Sequence, residues 1–214
     1  EKPSDPVAIP GDPDYCFASM GIYLFNKGDI ISALKADSGK FSAHDFGKNI
    51  LPEMLHTGRL FAYEFKDENK KEAEYWRDVG TIEAYYDANM DLKNVVPQLN
   101  LYNWQWPIMT ARFHDPPSKF VFDDEGRRGM AVQSVVGSGC LLSGGYVKDS
   151  ILGRNVLVDA GAEVRDCVLM DNVVISPGAR VRRAIIDKNV VVPPGEVIGE
   201  DLGKDVERYV VSKE

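Results

Sequence analysis

The chain has 214 residues, of which 44% are hydrophobic and 27% charged, so it can form one large domain or two small ones and is not a disordered chain. Its 25 basic and 33 acidic residues leave a net charge of −8, which excludes a general basic field for nucleic acid or an anionic membrane. No run approaches the ~18 to 20 apolar residues that span a bilayer, and we expect a cytoplasmic protein.

The cysteine and histidine content disfavours a disulfide framework and a structural zinc site. Three widely spaced cysteines, Cys16, Cys140 and Cys167, form no Cys-x-x-Cys pair, and the whole chain has three histidines. No cationic or histidine pattern lies near any of these thiols, so each is interpreted as a packing residue.

The first 105 residues have the pattern of an α/β layer, in which strands alternate with helices. Four prolines between Pro3 and Pro13 favour an extended surface segment without regular structure. Apolar or alternating runs predict strands at 17–25 and 60–65. Helices are predicted at 29–36 and at about 81–92. A further helix is predicted to begin at Ser42, because Ser42-Ala43-His44-Asp45 resembles a capping box. The charged run 66–74 is interpreted as a solvated loop.

The second half repeats every six residues. Counting from Val156 gives seven apolar residues in eight positions: Val156, Ala162, Val168, Val174, Arg180, Ile186, Val192 and Ile198. Gly161, Gly178 and Gly195 fall near repeat positions, where a turning backbone needs positive φ. This pattern predicts a parallel β-helix with three six-residue strands per coil and roughly four coils. An antiparallel sandwich is the alternative. The intervening segment, roughly 97–128, is expected to be a packed connector because it contains Trp104, Trp106, Pro107, Pro116 and Pro117.

Several side chains could carry chemistry, and each also has a purely structural interpretation. Lys2 could hold a phosphate or could be a solvated chain-end lysine. Ser19 could donate to a ligand from a strand end or to a neighbouring carbonyl. Asp78, at the mouth of a helix, could ligate Mg²⁺ or cap that helix. Adjacent His44 and Asp45 would lie on different sides of a helix, so they are interpreted as surface residues.

A basic group in the repeat region is the fifth candidate. Arg182 and Lys188 lie six residues apart, alongside Arg180 and Arg183, in an otherwise acidic protein. They could form an anion site for a phosphorylated effector or a solvated outer face.

Five segments occur in an order that resembles the C-terminal part of the bacterial glucose-1-phosphate adenylyltransferases, also called ADP-glucose pyrophosphorylases. These segments are Glu1-Lys2-Pro3, Ala18-Ser19-Met20-Gly21-Ile22-Tyr23, Ser42-Ala43-His44-Asp45-Phe46-Gly47-Lys48, Tyr75-Trp76-Arg77-Asp78-Val79-Gly80-Thr81 and Asn103-Trp104-Gln105-Trp106-Pro107-Ile108. The resemblance implies part of a Rossmann-like nucleotidyltransferase domain at 1–105, a connector at 106–128 and a left-handed parallel β-helix of hexapeptide repeats at 129–214.

The same resemblance implies the chemistry. Glu1, Lys2 and Ser19 would contact glucose 1-phosphate, with Lys2 on the phosphate, and Asp78 would be one of two aspartates that hold Mg²⁺. The reaction would join ATP and glucose 1-phosphate into ADP-glucose and pyrophosphate for glycogen biosynthesis. The family also implies a homotetramer and a phosphorylated-metabolite effector, for which Arg182 and Lys188 are candidates.

The family's Gly-rich nucleotide loop and second metal aspartate have no counterpart in the sequence, so we expect this chain to be inactive alone. A non-catalytic regulatory or assembly subunit is the alternative function. An acyltransferase is a third interpretation, which the lack of any histidine after His114 disfavours.

Overall fold

The computed structural model describes residues 5–65, 75–105, 107–123 and 126–212. The chain divides into two compact units, Glu1–Trp76 and Arg77–Glu214. Within the described ranges, no helix has the length and apolar character needed to cross a membrane. The domain boundaries expected from the sequence stay predictions.

The first unit contains a hairpin followed by three helical segments. Strands β1 (Ala8–Ile9) and β2 (Asp12–Cys16) pair antiparallel across a turn that contains Gly11, whose φ is +90°. The helical segments are α1 (Lys27–Ser38), a π-helix (Phe46–Ile50) and α2 (Leu51–Thr57). The π-helix runs directly into α2, so the two form one continuous helical stretch.

The sequence predicted the helices of this unit better than its strands. Helix α1 confirms the helix predicted at 29–36, whereas the helix predicted from Ser42 begins at Phe46. Among the described residues, 17–25 and 60–65 form no strand, and the proline-rich segment expected to lack regular structure contains the hairpin. An apolar run has strand propensity, but a strand also needs a partner to pair its backbone. The predicted loop at 66–74 lies outside the described residues.

The second unit opens with helix α3 (Ile82–Asp91), which confirms the helix predicted at 81–92. The side chain of Thr81 accepts a hydrogen bond of 3.1 Å from the N–H of Ala84, so Thr81 is the N-cap.

A parallel β-solenoid of three sheets follows α3, as the repeat predicts. Sheet one contains β4 (Met130–Val132), β7 (Tyr146–Lys148), β10 (Glu163–Arg165), β13 (Arg180–Arg182) and β16 (Val197–Ile198). Sheet two contains β5 (Val135–Val136), β8 (Ile151–Leu152), β11 (Val168–Leu169) and β14 (Ile185–Ile186). Sheet three contains β3 (Lys119–Phe120), β6 (Leu141–Leu142), β9 (Leu157–Val158), β12 (Val174–Ile175) and β15 (Val191–Val192).

A coil of the solenoid is shorter than three complete hexapeptides. Glu163 pairs with Arg180 on the next coil, and between these two residues the strands begin at 163, 168 and 174. One side of the coil is therefore a residue shorter than the other two. A strict count of six therefore moves one residue out of step with the inward-facing positions at each short side. This shift explains why the count falls on Arg180, which faces outward. Arg180 is exposed, whereas its neighbour Val181 is buried.

Each corner of the solenoid has its own column of residues with positive φ. The first column is Gln133, Asp149, Asp166 and Arg183, the second is Gly139, Asn155, Asn172 and Asn189, and the third is Gly144, Gly161, Gly178 and Gly195. The glycines expected to turn the backbone therefore do so. In the second column the side-chain amide of Asn172 donates to Asn189 at 3.0 Å and accepts from Asn155 at 3.4 Å. Asn is one of the few residues with a side chain that tolerates this conformation.

The core consists of inward-facing aliphatic residues that stack from coil to coil. In sheet three, Leu142, Val158, Ile175 and Val192 are in register and are each at most 2% exposed. Cys140 and Cys167 are buried in the same cluster, which confirms their packing role, and burial raises the pKa of Cys167 to about 12. Cys16 is exposed on β2, so its predicted packing role is wrong.

Helix α3 covers sheet two from outside. The outward side chains of Ile151 and Val168 are buried, and α3 lies against β11. The Tyr86 hydroxyl donates to the carbonyl of Asp166 at 2.8 Å, and burial raises the pKa of Tyr86 to about 12. Hydrophobic contact and one buried hydroxyl therefore attach the helix to the coils.

Helix α4 (Leu202–Arg208) follows the last coil. The buried carboxylate of Asp205 accepts from the N–H of Gly199 at 3.0 Å, and Arg208 pairs with Glu196 at 2.9 Å. These two bonds attach α4 to the end of the solenoid.

The connector packs on the coils only in its last part. Asp115 pairs with Arg154 at 2.8 Å, and the Ser118 hydroxyl donates to the carbonyl of Gly137. Trp104, in contrast, is 89% exposed, and Trp106 lies outside the described residues. The Phe113 ring also packs under the guanidinium group of Arg154, 3.4 Å from the ring centroid, so among the described residues the expected packing is found from Phe113 onwards.

The corner column of Asn155, Asn172 and Asn189 allows a test based on protein stability. At most positions Gly destabilises a protein more than Ala does, and at this corner the order is expected to reverse. Asn172→Ala is expected to destabilise the protein by about 1–2 kcal/mol more than Asn172→Gly, because Ala resists positive φ and both variants lose the Asn bonds. The midpoint of urea unfolding, followed by circular dichroism, measures the difference.

Val191, on the regular strand β15, is the matched control. There Gly is expected to be worse than Ala by about 0.5–1 kcal/mol. The same order of Ala and Gly at both positions would contradict the corner assignment.

Candidate functional site

The predicted site residues fall in different parts of the molecule. Glu1 and Lys2 lie outside the described residues. Ser19 belongs to the first unit, and Asp78, Arg182 and Lys188 belong to the second.

Ser19 lies in a tight turn rather than at a strand end. Its hydroxyl accepts from the N–H of Gly21 at 3.3 Å, and Gly21 has a φ of +73°. The same hydroxyl is 3.0 Å from the phenolic oxygen of Tyr23. Ser19 therefore bonds to its own turn and to Tyr23. Its structural interpretation had proposed a bond to a neighbouring carbonyl.

Tyr23 belongs to a cluster of three aromatic rings. Its ring stacks on Phe46 at 6.0 Å with planes 16° apart, and Phe25 lies 6.0 Å from Tyr23 and 6.1 Å from Phe46. The cluster joins the Ser19 turn to the first residue of the π-helix. A hydroxyl pair beside a flat aromatic surface can bind a polar ring such as a sugar. The sequence analysis missed Tyr23, although its position four residues after Ser19 was a usable signal.

Asp37 and His44 form a pair that the sequence analysis also missed. His44 Nδ1 lies 2.6 Å from one oxygen of Asp37, and the Ser42 hydroxyl donates to the other oxygen at 2.9 Å. The His44 bond, followed by Ser42 and the charge of Lys40, holds the pKa of Asp37 below its usual value against the opposing effect of burial. The His44 side chain is 57% exposed, so the imidazole is at the surface, as expected, but it is not free.

The residues around this pair correct the predicted capping box. Asp45, and not Ser42, caps the helical stretch by accepting from the N–H of Lys48 at 2.8 Å. His44 has a φ of +52°, which an ordinary first helical turn excludes. Ser42 instead supports Asp37.

Asp78 does not cap the helix that follows it. One of its carboxylate oxygens accepts from the N–H of Gly80 at 3.0 Å, and Thr81 is the N-cap of α3. The residue is exposed, and an exposed carboxylate is the type of ligand that hard divalent cations prefer. Within the described ranges, no group of three His, Cys, Asp or Glu side chains could hold a metal. The Asp78 carboxylate could supply one ligand to a divalent cation, and a complete site would need further ligands besides Asp78.

Arg182 lies on a strand of sheet one, whereas Lys188 lies in the turn that follows sheet two. Arg182 ends β13 of sheet one, in register with Arg165 on the neighbouring coil. Lys188 follows β14 of sheet two and lines a cavity of about 320 Å³, which Tyr85 and Asn89 of α3 also line. A spacing of six corresponds to one side of a coil, so it moves the chain to the next sheet and does not place the two cations side by side.

Two family models match consecutive parts of the chain. The model described as nucleotidyl transferase matches residues 1–95, and the model described as GlmU-like, C-terminal hexapeptide matches residues 116–214. The chain therefore carries a nucleotidyl transferase region followed by hexapeptide repeats.

Similar curated proteins carry one name. "Glucose-1-phosphate adenylyltransferase 2" of Alkalilimnicola ehrlichii is 48% identical over 212 residues, which are 99% of this chain and 50% of that protein. "Glucose-1-phosphate adenylyltransferase" of Methylococcus capsulatus is 47% identical over 215 residues, 100% of this chain and 51% of that protein. A protein of the same name from Rhodopirellula baltica is 50% identical over 167 residues, 76% of this chain and 37% of that protein. The chain spans about half the length of the first two relatives.

The Asp37 pair predicts a pH dependence of local stability. The folded-state pKa of Asp37 lies below its ordinary value of 3.8, so its stabilising effect is present above about pH 4 and is lost as the pH falls through the folded pKa. The destabilisation by Asp37→Asn should therefore shrink below about pH 4. Amide hydrogen exchange in α1 and the π-helix measures this change.

Ser42→Ala removes one of the hydrogen bonds that lower the pKa of Asp37 but keeps the carboxylate and its bond to His44, so this variant should show the wild-type direction of pH dependence with a smaller amplitude. A destabilisation by Asp37→Asn that stays constant from pH 3 to pH 6 would contradict the assignment.

Proposed function

We propose that this chain, which is related over nearly its whole length to the glucose-1-phosphate adenylyltransferases, is the C-terminal half of such an enzyme. The observation that carries the proposal is 48% identity across 212 residues to a protein of that name. The reaction joins ATP and glucose 1-phosphate into ADP-glucose and pyrophosphate, in glycogen biosynthesis.

The proposed chemistry is an in-line displacement. A phosphate oxygen of glucose 1-phosphate attacks the α-phosphorus of ATP, and pyrophosphate leaves. No covalent bond to the protein forms, so positioning and charge neutralisation supply most of the rate enhancement. In this scheme Lys2 pairs with the sugar phosphate, and Glu1 and Ser19 contact the glucose ring. The Ser19 turn and the neighbouring Tyr23 ring support the placement of a sugar in the first unit.

The proposed divalent cation is Mg²⁺, with Asp78 as one of its ligands. Mg²⁺ would neutralise phosphate charge, and it is normally bound by one or two carboxylates together with substrate phosphates. An exposed Asp78 whose only described bond is to Gly80 suits that use. The Gly80 bond then holds the carboxylate in place.

We also propose a phosphorylated-metabolite effector, a homotetramer and a cytoplasmic location for the whole protein. Arg182 and Lys188 are the candidate effector cations. Because Arg182 lies on sheet one and Lys188 lies in the turn after sheet two, each would need its own anionic group or its own anion. A net charge of −8 supports anion binding at such local basic positions only.

The first test measures ADP-glucose formation by this chain alone and by this chain together with a complementary N-terminal half. The purified chain alone, given ATP, Mg²⁺ and glucose 1-phosphate, is expected to form no ADP-glucose. Mixed or co-expressed with the remaining half of the Alkalilimnicola ehrlichii relative, it is expected to form ADP-glucose. Product from the chain alone would contradict the incomplete site.

A chain that binds its complementary half but never yields product would favour the alternative function, a regulatory or assembly subunit. An antibody against the solenoid gives an independent result in native cells. The transferase assignment predicts a polypeptide of about twice 23.8 kDa.

The second test concerns Lys2. In the two-half enzyme, Lys2→Ala is expected to raise the KM for glucose 1-phosphate by about 10- to 100-fold and to leave the KM for ATP nearly unchanged. A charge-assisted hydrogen bond contributes about 1.5–3 kcal/mol, and 1.4 kcal/mol corresponds to tenfold.

Lys35→Ala is the matched control, because Lys35 is an exposed lysine in the last turn of α1 in the same unit. Equal weakening of both substrates by Lys2→Ala would contradict the role assigned to Lys2.

A further inference from the structure

A continuous set of contacts leads from a carboxylate in α1 to the Ser19 hydroxyl. It begins at Asp37, which is 8% exposed and has both oxygens bonded, one to Ser42 and one to His44. A carboxylate held in this way cannot move without breaking two bonds. His44 is therefore fixed at Nδ1 from the direction of α1.

The fixed imidazole holds an unusual turn of the backbone. His44 has a φ of +52°, a conformation that is unfavourable for most residues with a Cβ atom. The Ser42 hydroxyl accepts from the N–H of His44 at 3.1 Å, so the same polar group holds both backbone and side chain. The bond from His44 to Asp37 offsets the cost of this conformation.

The turn determines where the π-helix begins. Asp45 follows His44 and caps the π-helix, and Phe46 is its first residue. π-helical turns are rare and are frequently found at functional sites. A change in the conformation of His44 would displace Phe46.

Phe46 transmits that position to Ser19 through Tyr23. The Tyr23 ring stacks on Phe46, and the Tyr23 hydroxyl bonds to Ser19 at 3.0 Å. Ser19 and Tyr23 lie outside the helices, and their other described side-chain contacts are local, from the N–H of Gly21 to Ser19 and from the Phe25 ring to Tyr23.

We propose that Asp37 and His44 are positioning residues for the sugar side of the site: they hold the turn that places Phe46, and Phe46 orients Tyr23 and the Ser19 hydroxyl. The proposal rests on the proposed function for the identity of the ligand, glucose 1-phosphate. The contact path itself does not depend on that identity.

Two variants of His44 separate positioning from general folding. His44→Ala loses the bond to Asp37 and retains a Cβ at positive φ. His44→Asn is the conservative variant, because Asn tolerates this backbone conformation and its amide can donate to Asp37. His56→Ala, on α2 of the same unit, is the matched control.

The first measurement is the NMR signal of the Tyr23 ring in the full chain without ligand. His44→Ala is expected to shift it, and His44→Asn and His56→Ala are expected to leave it near the wild-type position. An unchanged Tyr23 signal in a folded His44→Ala protein would overturn the proposal. So would equal shifts in His44→Ala and His44→Asn.

The second measurement is the KM for each substrate in the two-half enzyme. His44→Ala is expected to raise the KM for glucose 1-phosphate by about 3- to 10-fold, the size expected for one misplaced hydrogen bond, with the KM for ATP unchanged. His44→Asn is expected to restore most of the loss. An equal rise for both substrates would overturn the positioning role.

The two measurements distinguish the possible failures. A wild-type two-half enzyme that makes no ADP-glucose would contradict the proposed function, and the Tyr23 signal would still decide the positioning of Ser19. An active enzyme with an unmoved Tyr23 signal would retain the function and reject the positioning.

Discussion

Each coil of the second unit must turn three corners while its strands stay in register with the previous coil. Parallel pairing then places each residue above its equivalent in the next coil. A backbone position with positive φ must therefore recur at every corner, and inward-facing aliphatic residues must recur on every strand. The Asn and Gly columns and the stacked core are consequences of this single constraint.

The outward faces are free of that constraint, and sheets one and two use them differently. Sheet two has apolar outward residues because α3 covers them. Sheet one carries a column of cations, Lys148, Arg165 and Arg182, on neighbouring coils. Stacked like charges repel, and in this column Arg165 pairs with Glu163 and lies 5.5 Å from the Tyr146 ring centroid. Local partners thus decide how much positive charge a coil presents.

The first unit is held together in a different way. Among its described residues, Ile50 is the apolar side chain that is fully buried. Polar groups and partly exposed rings take the role that the core has in the solenoid: Asp37 holds the turn at His44, and Phe46 and Tyr23 connect that turn to Ser19. Because few apolar contacts support this region, each polar bond has a larger influence on local geometry.

The sequence by itself determined the parallel solenoid, helices α1 and α3, and the family resemblance, because these depend on local patterns: a repeat, a cap, or a motif of adjacent residues. The handedness of the coils stays a prediction. The tertiary structure decided what depends on residues far apart in sequence. It showed a coil with one short side in place of three equal ones, and it left 17–25 and 60–65 without strand partners. It also placed Arg182 on sheet one and Lys188 in the turn after sheet two. It also brought His44 to Asp37 of α1, where the sequence had suggested an unattached surface histidine. Periodicity can be read along a chain, but hydrogen-bond partners and register are fixed only when separate segments meet.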